Sequence, residues 1–225
     1  ADLVNIILQR SEVLFDRPKY GQVIRSWTNG DSGPIEAEVD RLGTEIVRRA
    51  AAVIRAEYLA LRPLLQELAP ARLADIGCGY GFFDLFAAQD LNADLVLIDL
   101  ESNEHRHFGF GDAGAAYSSL ARARDFLVSN GVANARIETL NPTLSVPEEI
   151  PPVDLAVSFL SCGFHYPVDS YLPFLDKALK PGGAAIFDLR GHSARAQAKL
   201  LKRFGTLTDL DAPNKARRVL LRKDG

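Results

Sequence analysis

The spacing of apolar residues changes at about residue 70. Upstream of it, apolar positions recur three, four or seven residues apart, which indicates amphipathic helices. The longest such run covers residues 35–61, and Pro63 is expected to begin a short second helix. Downstream, short apolar runs alternate with helical segments, a pattern typical of strands buried between helices. We therefore predict a helical extension over residues 1–69 and an α/β domain over residues 70–225.

Seven apolar runs of the second region are predicted to be strands. They cover residues 73–76, 93–100, 135–140, 153–159, 184–188, 206–210 and 217–221. The helix before the last two strands is expected to bury Ala196, Leu200 and Phe204 on one face. Only a short linker separates the last two strands, so we expect them to pair antiparallel.

Composition and charge indicate a globular protein with neither a nucleic-acid surface nor a membrane span. The 225 residues are 47% hydrophobic and 24% charged, as in ordinary globular domains. A net charge of −3 without a long basic run offers nucleic acid no electrostatic footprint. No apolar run approaches the ~18 residues of a membrane helix. Cys78 and Cys162 are too few for a disulfide framework, so we expect free thiols and a cytoplasmic location.

A strand, a glycine-rich turn and a helix follow one another over residues 73–88. The turn contains Gly77, Gly79 and Gly81, and glycine lets bare backbone N–H groups and a helix N-terminus approach a ligand closely. A dinucleotide fingerprint has the spacing G-x-G-x-x-G, whereas Phe82 stands here where the third glycine belongs. The spacing therefore disfavours a nicotinamide-dependent reductase.

The second predicted strand ends at an acidic residue, Asp99, eighteen residues after Gly81. A carboxylate about 20 residues beyond such a turn is placed to accept hydrogen bonds from both hydroxyls of a ribose. This spacing predicts a cofactor that contains ribose. Glu101 is the alternative acceptor if the strand ends later.

The segment Asp75-Ile-Gly-Cys-Gly-Tyr-Gly81 resembles the first motif of the class I S-adenosylmethionine-dependent methyltransferases. Leu179-Lys-Pro-Gly-Gly183, predicted as the reverse turn that feeds the fifth strand, resembles a second motif of that family. The resemblance covers about residues 70–223. It implies a doubly wound seven-stranded sheet, mostly parallel with its last strand antiparallel, and S-adenosyl-L-methionine as the cofactor.

The resemblance also implies which residues hold the cofactor. The glycine turn would admit the methionine portion, Asp75 would hold its charged end, and Asp99 would bind the ribose. Asn141 and Ser158 are placed on the adenine side. Asn141 stands where the family often has aspartate, and its side-chain oxygen can still accept a hydrogen bond from the adenine amino group. The predicted set is Asp75, Gly77, Cys78, Gly79, Gly81, Asp99, Leu100, Asn141 and Ser158.

The fourth predicted strand opens into a loop at residues 158–167 that contains His165 and Tyr166. This loop resembles the small-molecule branch of the family and lacks the N/D-P-P-Y signature of the amino-group and nucleobase methyltransferases. An unperturbed imidazole titrates near neutrality, so His165 can act as general base on a substrate hydroxyl. Tyr166 can orient the substrate. The alternative for His165 is a structural role, as a helix cap or as the floor of the pocket.

These motifs predict in-line transfer of a methyl group to an oxygen, nitrogen or sulfur of a small molecule. A cationic methyl donor is already activated, so the protein mainly aligns the nucleophile and excludes water. Two alternatives stay open: a methyltransferase of a protein or RNA recruited by a partner, and a catalytically silent cofactor-binding protein. We expect a monomer or homodimer that binds neither nucleic acid nor membranes.

Two further segments carry candidate residues. The helical extension either covers the cofactor and shapes the substrate pocket, through Tyr20, Arg25 and Trp27, or only packs on the sheet. His105 and His107 lie in a long polar loop. Two histidines two residues apart, without a third well-spaced ligand, do not predict a metal site.

Overall fold

The computed structural model describes residues 1–101, 118–212 and 216–225. In these ranges seven strands form one sheet with the spatial order β3-β2-β1-β4-β5-β7-β6, in which β7 alone runs opposite to the other six strands. The predicted fold class is confirmed, and the strand ends agree closely except at β5. The strands are β1 Arg72–Ile76, β2 Asp94–Ile98, β3 Ile137–Leu140, β4 Val153–Ser158, β5 Leu179–Arg190, β6 Gly205–Leu210 and β7 Ala216–Lys223.

Helices cover both faces of the sheet. They are α1 Asp2–Gln9, α2 Gly21–Thr28, α3 Gly33–Leu42, α4 Glu45–Leu68, α5 Phe82–Leu91, α6 Leu120–Ser129, α7 Leu172–Lys177 and α8 Ala194–Leu201. Helices α1 to α6 contribute to one hydrophobic core and α7 and α8 to the other. None of these helices, within the described ranges, has the length and apolar character needed to cross a lipid bilayer.

The strand order places a topological switch point at β1, which pairs in parallel with β2 on one side and β4 on the other. Along β1, Leu73 and Asp75 face the core of the extension and α5, whereas Ala74 and Ile76 face the core of α7 and α8, because side chains alternate across a strand. In open α/β sheets, ligands bind beyond the carboxyl ends of strands at such a switch point. We therefore expect a ligand site among the segments that follow β1, β2 and β4.

The helical extension departs from its prediction in two places. The run over residues 35–61 is interrupted at Gly43, whose φ is +52°, so that α3 ends and α4 begins. Pro63 does not begin a helix but lies inside α4. Proline removes one helical hydrogen bond, and the burial of Leu61 and Leu65 on either side of it keeps the helix continuous.

The proline-glycine segment at residues 180–183 lies within β5 instead of preceding it. The pairing of β5 with β4 passes from Leu179 opposite Val153 to Ala184 opposite Leu155, so the extra residues bulge out of the ladder. The predicted turn is therefore a local irregularity in a longer strand.

The predicted inner face of α8 is confirmed only in part, because Leu200 and Phe204 pack partly buried against the core but Ala196 does not. Ala196 is exposed and Phe204 lies beyond the helix end, whereas Gln197 points inward. The Gln197 amide donates to the Gly163 carbonyl at 2.8 Å, and its oxygen accepts from the Val168 N–H at 2.9 Å. A buried polar side chain that serves a distant loop cannot be recognised from hydrophobic periodicity.

Candidate active site

The glycine turn after β1 is enclosed by two other segments of the chain. Gly77, Gly79 and Gly81 all have positive φ, at +83°, +59° and +75°. A Cβ built on Gly77 would lie 1.9 Å from the Ser161 hydroxyl, and one built on Gly79 would lie 2.6 Å from the Gln9 side-chain oxygen. The loop after β4 and the end of α1 therefore pack directly on the turn, and only glycine fits there.

The structure brings the glycine turn and Asp99 together. Parallel pairing of β1 with β2 places Asp99 beside the turn, and its Oδ2 accepts a hydrogen bond from the Gly79 N–H at 2.7 Å. Burial raises the pKa of Asp99 to about 6, against the opposing effects of the Gly79 N–H and the Ser118 side chain. The remaining lone pairs of this carboxylate can accept hydrogen bonds from a ligand.

A second carboxyl accompanies Asp75 behind the turn. Asp75 is 4% exposed and Asp84, on the first turn of α5, is fully buried. Burial raises the pKa of both carboxyls, and the neighbouring Asp84 raises that of Asp75 further. Asp84 is not among the site residues predicted from the motifs, although a carboxyl among the apolar residues at the start of α5 is a recognisable signal.

Ser158 links the ends of two strands. It is fully buried, its hydroxyl donates to the Ile76 carbonyl at 2.7 Å, and it accepts from the Cys162 N–H at 2.9 Å. Its strand, β4, lies on the opposite side of β1 from β2 and β3. Both hydrogen-bonding functions of Ser158 are therefore used inside the protein, which favours a structural role, and its contact with the adenine side stays a prediction.

We expect Ser158→Ala to lower the free energy of unfolding by about 1–3 kcal/mol, because it leaves buried backbone groups without a partner. Affinity for S-adenosylhomocysteine should change less than about threefold, as expected for a residue without ligand contact. Denaturant unfolding and calorimetric titration measure the two quantities. A selective loss of affinity at unchanged stability would restore Ser158 to the ligand site.

The loop after β4 holds His165 and Tyr166 at the same edge of the sheet. The backbone N–H of His165 donates to the Ser161 carbonyl at 2.7 Å, and the imidazole ring packs edge-on against Phe164. The Tyr166 hydroxyl interacts with the Ser161 side chain, and burial raises the pKa of Tyr166 well above its usual value. Tyr166 is therefore a neutral phenol that can orient a ligand, not a base.

Asn141, Leu100 and Cys78 take distinct positions around the site. The Asn141 oxygen accepts from both the N–H and the hydroxyl of Thr143, at 3.0 and 2.8 Å, so it would have to release one bond to accept another. The Leu100 carbonyl accepts from the Ser118 hydroxyl. Cys78 is a buried thiol whose pKa is raised well above its usual value by burial and nearby carboxylates.

The part of the extension that reaches the turn is α1, not the segment around Trp27. The Asn5 amide donates to the Tyr80 hydroxyl at 3.2 Å, and this hydroxyl donates to Asp2 at 3.0 Å. Trp27 is buried in the core, and Arg25 is exposed to solvent. The sequence gives no local signal for these contacts, because they join residues more than seventy positions apart.

A cleft of about 430 Å³ lies beyond β3, on the flank where the adenine was predicted. Glu101 and Asn141 contribute to its wall, together with Leu120, Ala121, Arg124, Asp125, Thr139, Leu144 and Ser145. His105 and His107 fall outside the described residues. No group of three potential metal ligands occurs within the ranges that the structure describes.

No protein-family model and no curated protein sequence matches the chain. Among solved structures, it resembles an O-methyltransferase family protein from Burkholderia thailandensis, with a TM-score of 0.53 and 12% identity over 91% of this chain and 71% of the other. It also resembles the O-methyltransferase TomG from Streptomyces achromogenes, involved in tomaymycin synthesis and solved in complex with SAM. That match has a TM-score of 0.51 and 17% identity over 76% of this chain and 80% of TomG.

The methyltransferase domain of bacterial CtHen1-C aligns with a TM-score of 0.54 and 13% identity, over 78% of this chain and 98% of that domain. The chain has the class I methyltransferase fold. The glycine turn after β1 and Asp99 after β2 lie at the switch point of this fold. His165 and Tyr166 follow β4, on the other side of β1 from β2.

Proposed function

We propose that the protein is an S-adenosylmethionine-dependent methyltransferase that acts on a small-molecule acceptor. The observation that carries the proposal is the 2.7 Å hydrogen bond between the Gly79 N–H and Asp99, made at the carboxyl edge of a class I methyltransferase fold. A backbone turn and a ribose-type acceptor that meet at a switch point are complementary to one nucleoside ligand.

The residues at this edge fit the proposed cofactor. Ser161 and Gln9 occupy the positions that Cβ atoms of Gly77 and Gly79 would take, so only glycine fits at these two positions of the turn. Gly81 N-caps α5 and starts the helix that follows the turn. We assign the methionine portion to this turn, the ribose to Asp99 and Leu100, and the adenine amino group to Asn141. When bound, the cofactor supplies a methyl group activated by a sulfonium.

The chain's own contribution to the reaction is alignment and proton transfer. The loop after β4 is held by Gln197 and by the Arg190 guanidinium, which donates to the Phe164 carbonyl at 3.2 Å. A loop held in this way can keep His165 in one position, where the imidazole accepts the proton of an acceptor hydroxyl or amine. Tyr166, as a neutral phenol, orients the acceptor.

A small acceptor is favoured over a nucleic acid because the chain has a net charge of −3. Its fold is also that of proteins described as O-methyltransferases. Both cysteines are buried thiols, which supports a reducing compartment such as the cytoplasm. We keep the hydroxyl or amine of a metabolite as the proposed acceptor class.

The proposal is tested by following methyl transfer from labelled S-adenosylmethionine to a panel of oxygen, nitrogen and sulfur acceptors. His165→Gln is expected to lower kcat by about 10²–10⁴-fold, the usual contribution of a general base, while S-adenosylhomocysteine affinity stays unchanged. His192→Gln, at an exposed histidine after β5, is the matched control and should retain activity. Cofactor binding without turnover across the panel would support a silent binding protein instead, and copurified nucleic acid would indicate a polymer substrate.

A further inference from the structure

Arg190 ends β5 at the carboxyl edge of the sheet, beside the loop that carries His165. Its half-buried side chain is held from two directions. Nη1 donates to the Phe164 carbonyl at 3.2 Å, and the guanidinium carbon lies 5.1 Å from the centre of the Phe164 ring. The backbone N–H of Arg190 also donates to the Gly163 carbonyl at 2.9 Å. The guanidinium is therefore fixed in position relative to the loop.

One edge of this guanidinium has no partner. Nε and Nη2 of Arg190 make no hydrogen bond or ion pair within the part of the chain that the structure describes, and both atoms are accessible to solvent. The N–H groups of this edge are parallel and match the two oxygens of a carboxylate. Three other arginines use the same edge to hold an aspartate, at distances of 2.6–3.3 Å: Arg62 with Asp90, Arg217 with Asp209 and Arg218 with Asp188. Arg190 therefore presents an unfilled carboxylate-binding edge.

The unfilled edge lies close to the proposed general base. The imidazole of His165 packs on the Phe164 ring with the two ring centres 5.2 Å apart, and the guanidinium of Arg190 packs on the same ring at 5.1 Å. The imidazole therefore lies no farther from the guanidinium carbon than these two distances together. A small molecule that carries both a hydroxyl and a carboxylate can reach both groups at once.

We propose that the methyl acceptor is an acid whose carboxylate binds to the Nε–Nη2 edge of Arg190 while its hydroxyl or amine faces His165. This inference rests on the proposed function and narrows the acceptor class to anionic small molecules. A guanidinium that is already held in place loses little side-chain freedom when the acceptor binds, so most of the interaction contributes to affinity. A neutral acceptor of the same shape lacks the charge and one of the two acceptor oxygens.

The test compares each acid with its primary amide, which keeps the shape and loses the charge. The probes are hydroxybenzoates, aminobenzoates and hexuronates with their amides, and methyl transfer from labelled S-adenosylmethionine is measured. The wild type should prefer the acids by about 10–100-fold in kcat/KM. Arg190→Met should lower kcat/KM for the acids by about tenfold or more beyond any loss on the amides, mainly through a higher KM. Arg190→Lys keeps the charge without the two parallel donors and should also lose most of the preference.

Arg195→Met is the matched control, because Arg195 is an exposed arginine on the helix that follows β5, and it should keep the preference of the wild type. A wild type that methylates only neutral acceptors, or acids and amides equally, overturns the inference. So does a preference for acids that survives in Arg190→Met. Equal losses on acids and amides in both Arg190 variants would mean that Arg190 only holds the loop, which overturns it too. Absence of turnover with every acceptor, charged or neutral, contradicts the proposed function itself.

Discussion

Replacing Asp99 with alanine is expected to weaken the binding of S-adenosylhomocysteine by about 100-fold or more. Hydrogen bonds to a charged group contribute about 1.5–3 kcal/mol each, and two ribose hydroxyls would be lost. Each 1.4 kcal/mol corresponds to roughly a tenfold change in affinity. Calorimetric titration of the wild type and the variant gives the ratio directly.

Asp94→Ala is the control for this experiment, because Asp94 begins the same strand and its side chain is exposed. Its affinity should equal that of the wild type. An unchanged affinity in Asp99→Ala would rule out the contact between Asp99 and the ribose, which is the main support for a nucleoside cofactor.

The raised pKa of Asp99, about 6, gives this prediction a pH dependence. The ionised carboxylate accepts hydrogen bonds from hydroxyls, so affinity should fall about tenfold per pH unit below pH 6 and level off above it. The free energy of unfolding depends on pH in the opposite direction to the affinity. Because the folded pKa lies above the unfolded value, the contribution of Asp99 to the free energy of unfolding rises as the pH falls from 6 towards 4. Weaker binding at pH 5 would therefore not reflect unfolding through this group.

Gly77→Ala should be the most destabilising of the substitutions proposed for the turn. The new Cβ would lie 1.9 Å from Oγ and 2.4 Å from Cβ of Ser161, at a φ of +83°. Overpacking costs typically about 1–3 kcal/mol and the left-handed backbone about 1–2 kcal/mol. We expect a loss of about 2–5 kcal/mol in denaturant unfolding and loss of S-adenosylhomocysteine binding.

Gly131 separates these two effects, because its φ is +92° and nothing lies within 4 Å of a Cβ built on it. Gly131→Ala should therefore show the backbone penalty alone, about 1–2 kcal/mol. Ser161→Gly in the Gly77→Ala background removes the clashing atoms and should return the loss to that level. Equal losses in the two single variants would show that Ser161 does not enclose the turn.

Much of the fold could be predicted because its signals are local. Apolar runs of strand length, the glycine turn and the distance from Gly81 to Asp99 are all properties of short segments, and they correctly predicted the sheet and the meeting of Gly79 with Asp99. Contacts were not predicted where a residue serves a distant partner. Ser158 and Gln197 are polar residues that point inward and bond to backbone groups of other segments. The spacing of hydrophobic residues along the chain does not indicate such contacts.

The sequence by itself determined the class I sheet, the position of its switch point and the acid beside the glycine turn, because strand period and motif spacing follow from backbone geometry over a few residues. Only the tertiary structure decided which segments enclose that turn. It placed Gln9 of the extension and Ser161 of the β4 loop against it, and it revealed Asp84 as a fully buried carboxyl beside Asp75. These contacts join segments far apart in the chain, and burial and charge compensation become defined only when the segments pack together.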